Sequence, residues 1–187
     1  MKGMENKFDA VLIGAGPAGY VGAIRLAQLG KKVAVVEEAR VGGVCLNRGC
    51  IPVKSLLHAA AVVRNAREAR TMGITFQSPE LDPVSLNSWK TRIIDRLARG
   101  IEFLFKANGV ELFRGKARLV APDRVVVQGN ENEAEISAPH IIIATGSEPT
   151  VLPGLEPDHK KVIDSNSALN LVQLPESIVI VGAGAIG

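Results

Sequence analysis

Two cysteines, Cys45 and Cys50, are the residues whose type and spacing point most directly to chemistry. In a regular α-helix, residues five positions apart have Cα atoms about 8.7 Å apart, whereas a disulfide tolerates roughly 7 Å. A bridge between the two sulfurs therefore needs a distorted backbone, which Gly49 permits. We predict a redox-active pair. The alternatives are two unrelated core residues or two metal ligands, although a metal site would need more nearby ligands than His58.

The residues around the second cysteine predict the start of a helix, because Pro52 is tolerated in a first turn. Amide groups at such a helix start stabilise a thiolate on Cys50. Lys54 follows four residues later, so its ammonium shares a helix face with this sulfur. The sequence thus makes Cys45, Cys50 and Lys54 the candidate catalytic residues, and a solvated surface position is the alternative for the lysine.

A glycine-rich segment precedes the cysteines and follows an apolar run at residues 8–13 without a gap. In its G-x-G-x-x-G pattern, the first glycine permits a tight turn, the second admits a pyrophosphate, and the third lets the next helix pack closely. A second apolar run ends at Glu37, eighteen residues after Gly19, where a carboxylate accepts hydrogen bonds from an adenosine ribose. The side chain of Glu38 is expected to point to the opposite side of the strand. Strand, turn, helix, strand and acid in this order predict a dinucleotide site, and a merely structural turn is the alternative.

The remaining pattern predicts an α/β fold with a parallel sheet. Residues 53–72 and 83–108 predict two helices that pack as an antiparallel pair beside the sheet. The apolar stripe of the second helix is predicted to be Leu86, Trp89, Ile93, Leu97, Ile101 and Leu104. Residues 110–114, 116–120 and 124–128 predict a small β-meander. Residues 141–144 predict a further buried strand.

These motifs resemble those of the flavoprotein disulfide reductases, and within that family most closely the dihydrolipoyl dehydrogenases. The similarity extends from one end of the chain to the other and includes residues 42–54, 56–60, 141–149, 153–154 and 181–187. Glutathione and mercuric reductases share the cysteine spacing but usually have valine at the position of Leu46. These two reductase types are therefore the alternatives within the family.

The resemblance implies a role for each matching residue. Cys45 would be the interchange thiol, Cys50 the charge-transfer thiol beside FAD, and Lys54 a residue at the reactive edge of the flavin. The Cys45–Cys50 disulfide would oxidise protein-bound dihydrolipoamide, with electrons passing through FAD to NAD⁺. The implied FAD-binding residues are Gly14, Gly16, Pro17, Ala18, Gly19, Glu37, Gly43, Val44, Cys45, Lys54, Gly115, Thr145, Gly146 and Ser147. The implied NAD-binding residues are Gly182, Gly184 and Gly187.

The resemblance also implies a domain organisation. Residues 1–150 would form a Rossmann-like FAD-binding domain without its C-terminal part, residues 151–176 a linker, and residues 177–187 the beginning of a Rossmann-like NAD-binding domain. Because the second glycine motif stops before its helix, we expect the front part of a longer enzyme that is inactive alone. A non-catalytic FAD-binding or redox module is the alternative. The longer enzyme would be a homodimer, the E3 component that serves the lipoyl domain of a 2-oxo acid dehydrogenase or glycine-cleavage system.

Composition sets broader limits. The chain has 187 residues, of which 47% are apolar and 4% aromatic, as expected for a globular protein. Its net charge of +3 is too small to predict a nucleic-acid partner. No apolar run is long enough to span a membrane, and a lone cysteine pair suits a catalytic couple in a reducing compartment. We therefore expect a cytoplasmic protein without a metal, nucleic-acid or membrane partner.

Overall fold

The computed structural model describes residues 6–75, 77, 79–129 and 133–187. In chain order, its elements are β1 (Ala10–Ile13), α1 (Pro17–Gln28), β2 (Val33–Glu37), α2 (Gly43–Arg48), α3 (Cys50–Glu68), a 3₁₀ turn (Ala69–Met72), α4 (Pro83–Ala107), β3 (Glu111–Arg114), β4 (Lys116–Ala121), β5 (Arg124–Gln128), β6 (Glu133–Ser137), β7 (His140–Ile143) and α5 (Ser165–Ala168). The chain divides into two compact units. The first contains the residues up to Asn47 together with Asp95–Ser147, and the second contains Arg48–Ile94 together with Glu148–Gly187.

A four-stranded parallel sheet organises the first unit, with strand order β3-β2-β1-β7. The central strand β1 pairs with β2 on one side and β7 on the other, so that Ala10 lies opposite both Val33 and His140. Strands β1 and β2 are apolar runs rather than alternating sequences, as expected for parallel strands covered on both faces. The structure thus confirms the α/β fold with a parallel sheet.

The β-meander differs in one strand from the prediction. Residues 111–114 form β3, which pairs in parallel with β2, and the meander consists of β4, β5 and β6. Gly115 separates the two sheets with a φ of 148°, and a Cβ at this position would lie 2.4 Å from the carbonyl oxygen of Gln128. The polar composition of β6 concealed it in the sequence, although its Ile136 is fully buried.

The core of the first unit is shared by the two sheets. Its members are Phe8, Val11, Ala34, Val36, Val125, Val127, Ile136 and Ala138. The rings of Phe8 and Phe113 meet edge to face at 5.9 Å. Strand β7 is more exposed than predicted, because it forms the edge of the parallel sheet and has only β1 as a neighbour. Ile143 is 69% exposed.

Both long helices are confirmed, with a different buried stripe on α4. Its buried residues are Lys90, Ile94, Ala98, Ile101 and Phe105. Only Ile101 belongs to the predicted stripe, so the buried face lies one step around the helix from the predicted one. Apolar residues occur on both faces, and tertiary packing selects one of them. In the second unit, the ring of His58 on α3 stacks on that of Trp89 on α4, with centroids 6.4 Å apart. Across the described residues, the structure contains no helix long and apolar enough to cross a membrane.

Candidate functional site

The first glycine-rich turn connects β1 to α1 and is packed too closely for any other residue at two positions. Gly14 has a φ of 102°, and a Cβ there would lie 2.3 Å from the carbonyl oxygen of Ala144. A Cβ on Gly19 would lie 1.8 Å from the carbonyl oxygen of Gly14. The turn therefore closes on itself and on the end of β7, as the predicted roles of these glycines require.

A second loop approaches this turn at Gly16. The N–H of Gly42 donates to the carbonyl oxygen of Ala15 at 2.8 Å, and a Cβ on Gly43 would lie 2.6 Å from the Cα of Gly16. Helix α2 begins at Gly43 and carries Val44 and Cys45 in its first turn. The structure thus brings Gly43, one of the implied FAD-binding residues, against the glycine turn.

Glu37 connects the end of β2 to the same turn. Its Oε2 accepts a hydrogen bond from the N–H of Ala15 at 2.7 Å, and its Oε1 accepts one from the N–H of Ala39 at 2.9 Å. The sequence predicted the position of this carboxylate but not its bond to Ala15. Each carboxylate oxygen can accept more than one hydrogen bond, so the group retains acceptor capacity for a ribose hydroxyl.

The N-terminus of α1 faces the same region without a side-chain cap. Gly16 is the N-cap residue, and Pro17 occupies the first turn. A 12-residue helix has unpaired N–H groups in its first turn, and these groups together with the helix dipole favour an anion. The turn, its uncapped helix and the Glu37 carboxylate therefore fit the pyrophosphate and ribose of a dinucleotide.

Asn47 is a feature of this region that the sequence analysis missed. Its Nδ2 donates to the carbonyl oxygens of Val41 at 3.1 Å and Gly43 at 3.0 Å, which fixes the loop before α2. Its Oδ1 is buried and has no hydrogen-bond partner within the described residues. An orphaned buried acceptor is uncommon in proteins and is consistent with a donor from a water or a bound molecule. Its position between the two cysteines was the signal available in the sequence.

Two other groups of predicted contact residues follow the two edge strands of the parallel sheet, β3 and β7. The N–H of Gly115 donates to the backbone oxygen of Glu37 at 3.0 Å, so this glycine adjoins the predicted ribose carboxylate. Thr145, Gly146 and Ser147 lie just beyond β7, after Ala144, and are exposed. The carboxyl ends of parallel strands are the usual ligand-binding edge of such a sheet.

Each cysteine lies at the beginning of a helix. Cys45 is half-buried on α2, and Cys50 is the exposed first residue of α3. Helix α3 has Gly49 as its N-cap and no side-chain cap, and Lys54 is exposed one turn after Cys50. The helix start expected at Cys50 is confirmed. Among the described residues, no group of three or more His, Cys, Asp or Glu side chains is placed to hold a metal ion.

The second glycine-rich turn has the same local shape as the first. Gly182 has a φ of 117°, and a Cβ on Gly187 would lie 2.3 Å from the carbonyl oxygen of Gly182. The apolar residues before this turn form no strand, however, and Val179 is 89% exposed. The structure therefore contains a second glycine-rich turn, and among the described residues no strand precedes it directly.

A protein-family model described as pyridine nucleotide-disulphide oxidoreductase matches residues 8–187. Among curated relatives, a dihydrolipoyl dehydrogenase from Bacillus subtilis is 43% identical over 98% of this chain and 41% of its own length. Dihydrolipoyl dehydrogenase 3 from Pseudomonas aeruginosa is 45% identical over 98% of this chain and 40% of its own length. The chain therefore spans about two fifths of the length of these relatives.

Two solved structures share the fold. LpdA from Mycobacterium tuberculosis superposes with a TM-score of 0.81 at 21% identity, over 89% of this chain and 38% of that one. A copper(II) complex of the HOCl-induced flavoprotein disulfide reductase RclA from Escherichia coli gives a TM-score of 0.72 at 31% identity, over 91% of this chain and 36% of that one. The first likeness, at its low identity, concerns the fold alone.

Proposed function

Because the chain belongs to the pyridine nucleotide-disulphide oxidoreductase family, we propose that it is the FAD-binding and disulfide-bearing part of a dihydrolipoyl dehydrogenase. The observation that carries this proposal is the link between the Glu37 carboxylate and the N–H of Ala15. This link places an acidic acceptor against a glycine turn whose helix N-terminus is uncapped. Those are the two chemical features that an adenine dinucleotide needs: acceptors for its ribose and donors for its pyrophosphate.

In this proposal, the first turn holds the pyrophosphate of FAD and Glu37 holds the adenosine ribose. Gly115, Thr145, Gly146 and Ser147 contribute further contacts along the carboxyl edge of the sheet. Gly43, Val44, Cys45 and Lys54 adjoin the remainder of the cofactor. When bound, FAD supplies a two-electron acceptor.

The chain itself would supply the thiol chemistry. A substrate thiolate attacks the sulfur of Cys45 in a Cys45–Cys50 disulfide, which forms a mixed disulfide and releases Cys50 as a thiolate. The second thiol of the substrate, after losing its proton, attacks the substrate sulfur of that mixed disulfide and releases Cys45. The substrate leaves as a cyclic disulfide, and its two electrons remain on the two cysteine sulfurs. The uncapped start of α3 and the ammonium of Lys54 favour the negative charge on Cys50.

The steps that complete turnover belong to the longer proteins that this chain resembles. We propose NAD⁺ as the final electron acceptor, with Gly182, Gly184 and Gly187 at the start of its site. A lipoyl domain of a 2-oxo acid dehydrogenase or glycine-cleavage complex would present the dithiol to a homodimeric enzyme in the cytoplasm. The identities of 43% and 45% with dihydrolipoyl dehydrogenases support this choice of substrate.

A second candidate is a flavoprotein disulfide reductase with a different substrate, of the glutathione or mercuric type. The observation in its favour is the 31% identity to the flavoprotein disulfide reductase RclA. The two candidates share the flavin and the cysteine pair and differ only in the disulfide or dithiol on which they act.

The visible absorption spectrum of the purified chain, reconstituted with excess FAD, tests the shared part of the proposal. We expect a retained flavin spectrum that changes on addition of dithiothreitol, because the thiolate of Cys50 perturbs the flavin. Cys50→Ser should abolish the long-wavelength absorbance that develops on partial reduction, whereas Cys45→Ser should show it without reductant. Glu38→Gln, an exposed change next to the ribose carboxylate, is the control.

Two results would contradict the proposal. If the chain retained no flavin even with excess FAD, the assignment of an FAD site to these residues would be wrong. Long-wavelength absorbance that persists in Cys50→Ser would mean that the roles of the two sulfurs are reversed. Oxidation of dihydrolipoamide, measured against reduction of glutathione disulfide by the longer enzyme, then separates the two candidate functions.

A further inference from the structure

A lysine that plays no part in the proposed chemistry is buried inside the second unit. Lys90 lies on α4 and is 2% exposed. Its ammonium donates to Oδ1 of Asn87 at 2.6 Å, to Oδ1 of Asn170 at 3.0 Å and to the carbonyl oxygen of Leu169. Three N–H donors thus meet three neutral oxygens, two of which belong to a segment far away in sequence.

Asn87 also donates hydrogen bonds, one of them to the same distant segment. Its Nδ2 donates to the carbonyl oxygen of Leu171 at 2.9 Å and to that of Pro83 at 3.1 Å. Together, Asn87 and Lys90 hold the backbone at residues 169 and 171 and the side chain of Asn170. Every donor and acceptor of the Asn87 amide is used in this arrangement except one acceptor lone pair.

Hydrogen bonds from Lys90 and Asn87 connect this segment to α4. Residues 162–169 are all half-buried, and none is a core residue. Within the segment, Oδ1 of Asp164 accepts from the N–H of Ser167 at 2.7 Å, and Nδ2 of Asn170 donates to the carbonyl oxygen of Asn166 at 2.8 Å. The segment is therefore organised internally, and Lys90 and Asn87 fasten it to the helix.

We propose that Lys90 is a positioning residue, whose buried ammonium fastens residues 164–171 to α4 and so fixes the approach of the chain to the second glycine-rich turn. Carbonyl groups after the last turn of α5 have no partner within that helix, and the ammonium supplies one. Burial lowers the pKa of Lys90, which reflects the loss of water that the three oxygens replace. Only the dinucleotide role of the second turn rests on the proposed function, because the attachment needs no flavin and no nucleotide.

Lys90→Met tests the proposal, because methionine keeps an unbranched side chain of similar length and loses all three donors. The measurement is amide hydrogen exchange at residues 167–170 in the full chain without cofactor. We expect exchange to be about tenfold faster or more in Lys90→Met, since buried oxygens are left without donors. Lys106→Met removes an exposed lysine from the same helix and should leave the exchange rates unchanged.

Asn87→Asp separates the hydrogen bonds that Lys90 donates from those that Asn87 donates. The aspartate oxygen still accepts from Lys90, but the donors to Leu171 and Pro83 are lost. We expect exchange at residues 167–170 to stay near that of the parent chain, while chymotrypsin cleavage after Leu171 becomes severalfold faster. A residue that merely stabilised the fold would change both readouts together.

The emission of Trp89, the single tryptophan, reports whether α4 remains packed in each variant. With unchanged Trp89 emission, exchange at residues 167–170 within twofold of the parent chain in Lys90→Met would overturn the proposal. If Lys90→Met loses its tertiary packing, Lys90→Gln, whose shorter side chain carries two N–H donors instead of three, decides: exchange at residues 167–170 within twofold of the parent chain would overturn the proposal in the same way. If the chain failed to bind flavin while the exchange rates changed as expected, the proposed function would be contradicted and the proposal for Lys90 would stand.

Discussion

The chain contains two glycine-rich turns of equal spacing, and their surroundings differ. In both turns, a Cβ on the last glycine would collide with the carbonyl oxygen of the first, at 1.8 Å for Gly19 and 2.3 Å for Gly187. The first turn lies between β1 and α1, beneath the end of β7 and beside Glu37. The second turn has no strand before it and no acidic partner among the described contacts. Glycine spacing is sufficient for the local turn, whereas the sheet and the carboxylate beside the first turn are contributed by other parts of the chain.

The largest expected effect of a single substitution follows from this difference. Gly19→Ala places a methyl group 1.8 Å from a backbone oxygen inside a packed turn and should destabilise the chain by about 3 kcal/mol or more. Gly187→Ala meets a similar obstacle in an exposed turn that can open, so its effect should stay within about 0.5 kcal/mol. Chemical denaturation of the two variants measures both values.

Gly100→Ala is the matched control, because Gly100 lies within α4 and a Cβ there would meet nothing within 4 Å. It should stabilise the chain by about 0.5–1 kcal/mol, through helix propensity and reduced freedom of the unfolded chain. Equal losses of stability in Gly19→Ala and Gly187→Ala would refute the view that only the first turn is part of the packed structure.

The next largest effect concerns the carboxylate that distinguishes the two turns. Glu37→Gln keeps the shape of the side chain but replaces one charged acceptor with an amide donor. Hydrogen bonds to charged groups contribute about 1.5–3 kcal/mol, so we expect FAD affinity to fall about 10- to 100-fold. Equilibrium titration with FAD measures the change, and Glu38→Gln, one residue further along, should bind as the parent chain does. Equal affinities for all three proteins would exclude Glu37 as a cofactor ligand.

The smallest expected effect is a difference in acid sensitivity between residues 158–168, which precede the second turn, and strands β1 and β2, which adjoin the first. Oδ1 of Asp158 accepts hydrogen bonds from the N–H groups of residues 160, 161 and 162. The bond from Lys160 is the largest cause of a pKa below the usual 3.8 for Asp158. The backbone bond from Ser167 likewise lowers the pKa of Asp164. A lowered folded-state pKa contributes stability that is fully present above the unfolded value and is lost as the pH falls through the folded value.

Residues 158–168 should therefore lose exchange protection as the pH is lowered from about 5 to about 2, before β1 and β2 do. Asp158→Asn keeps an acceptor oxygen without the charge and should flatten this pH dependence over residues 160–162. Protection factors measured by hydrogen exchange test both statements. Loss of protection in β1 at a higher pH than in residues 158–168 would contradict the comparison.

The sequence predicted those parts of the fold and site that depend on neighbouring residues. The β1-turn-α1-β2 unit, Glu37 and the start of α3 at Cys50 all follow from glycine spacing, apolar periodicity and proline position. Strand β3 was assigned to the wrong sheet because its partner β2 lies more than seventy residues earlier. The buried face of α4, the bond from Ala15 to Glu37 and the orphaned Oδ1 of Asn47 also depend on tertiary packing. In the sequence, Lys90 cannot be told apart from a surface lysine on a helix. Its burial becomes evident only from the position of residues 169–171 in the structure.

The close contact between Gly14 and Ala144 affects the order in which the protein can acquire its binding site. The two residues are about 130 positions apart, and the strands that precede them, β1 and β7, can pair only after the residues between them have been synthesised. At 5–20 residues per second, a ribosome needs roughly 7–26 s to cover that distance. During this interval, β1 and the first turn have left the ribosome while β7 has not yet been made. We therefore expect that any capture of flavin at this turn waits until β7 has been synthesised, even if the glycine turn itself forms earlier.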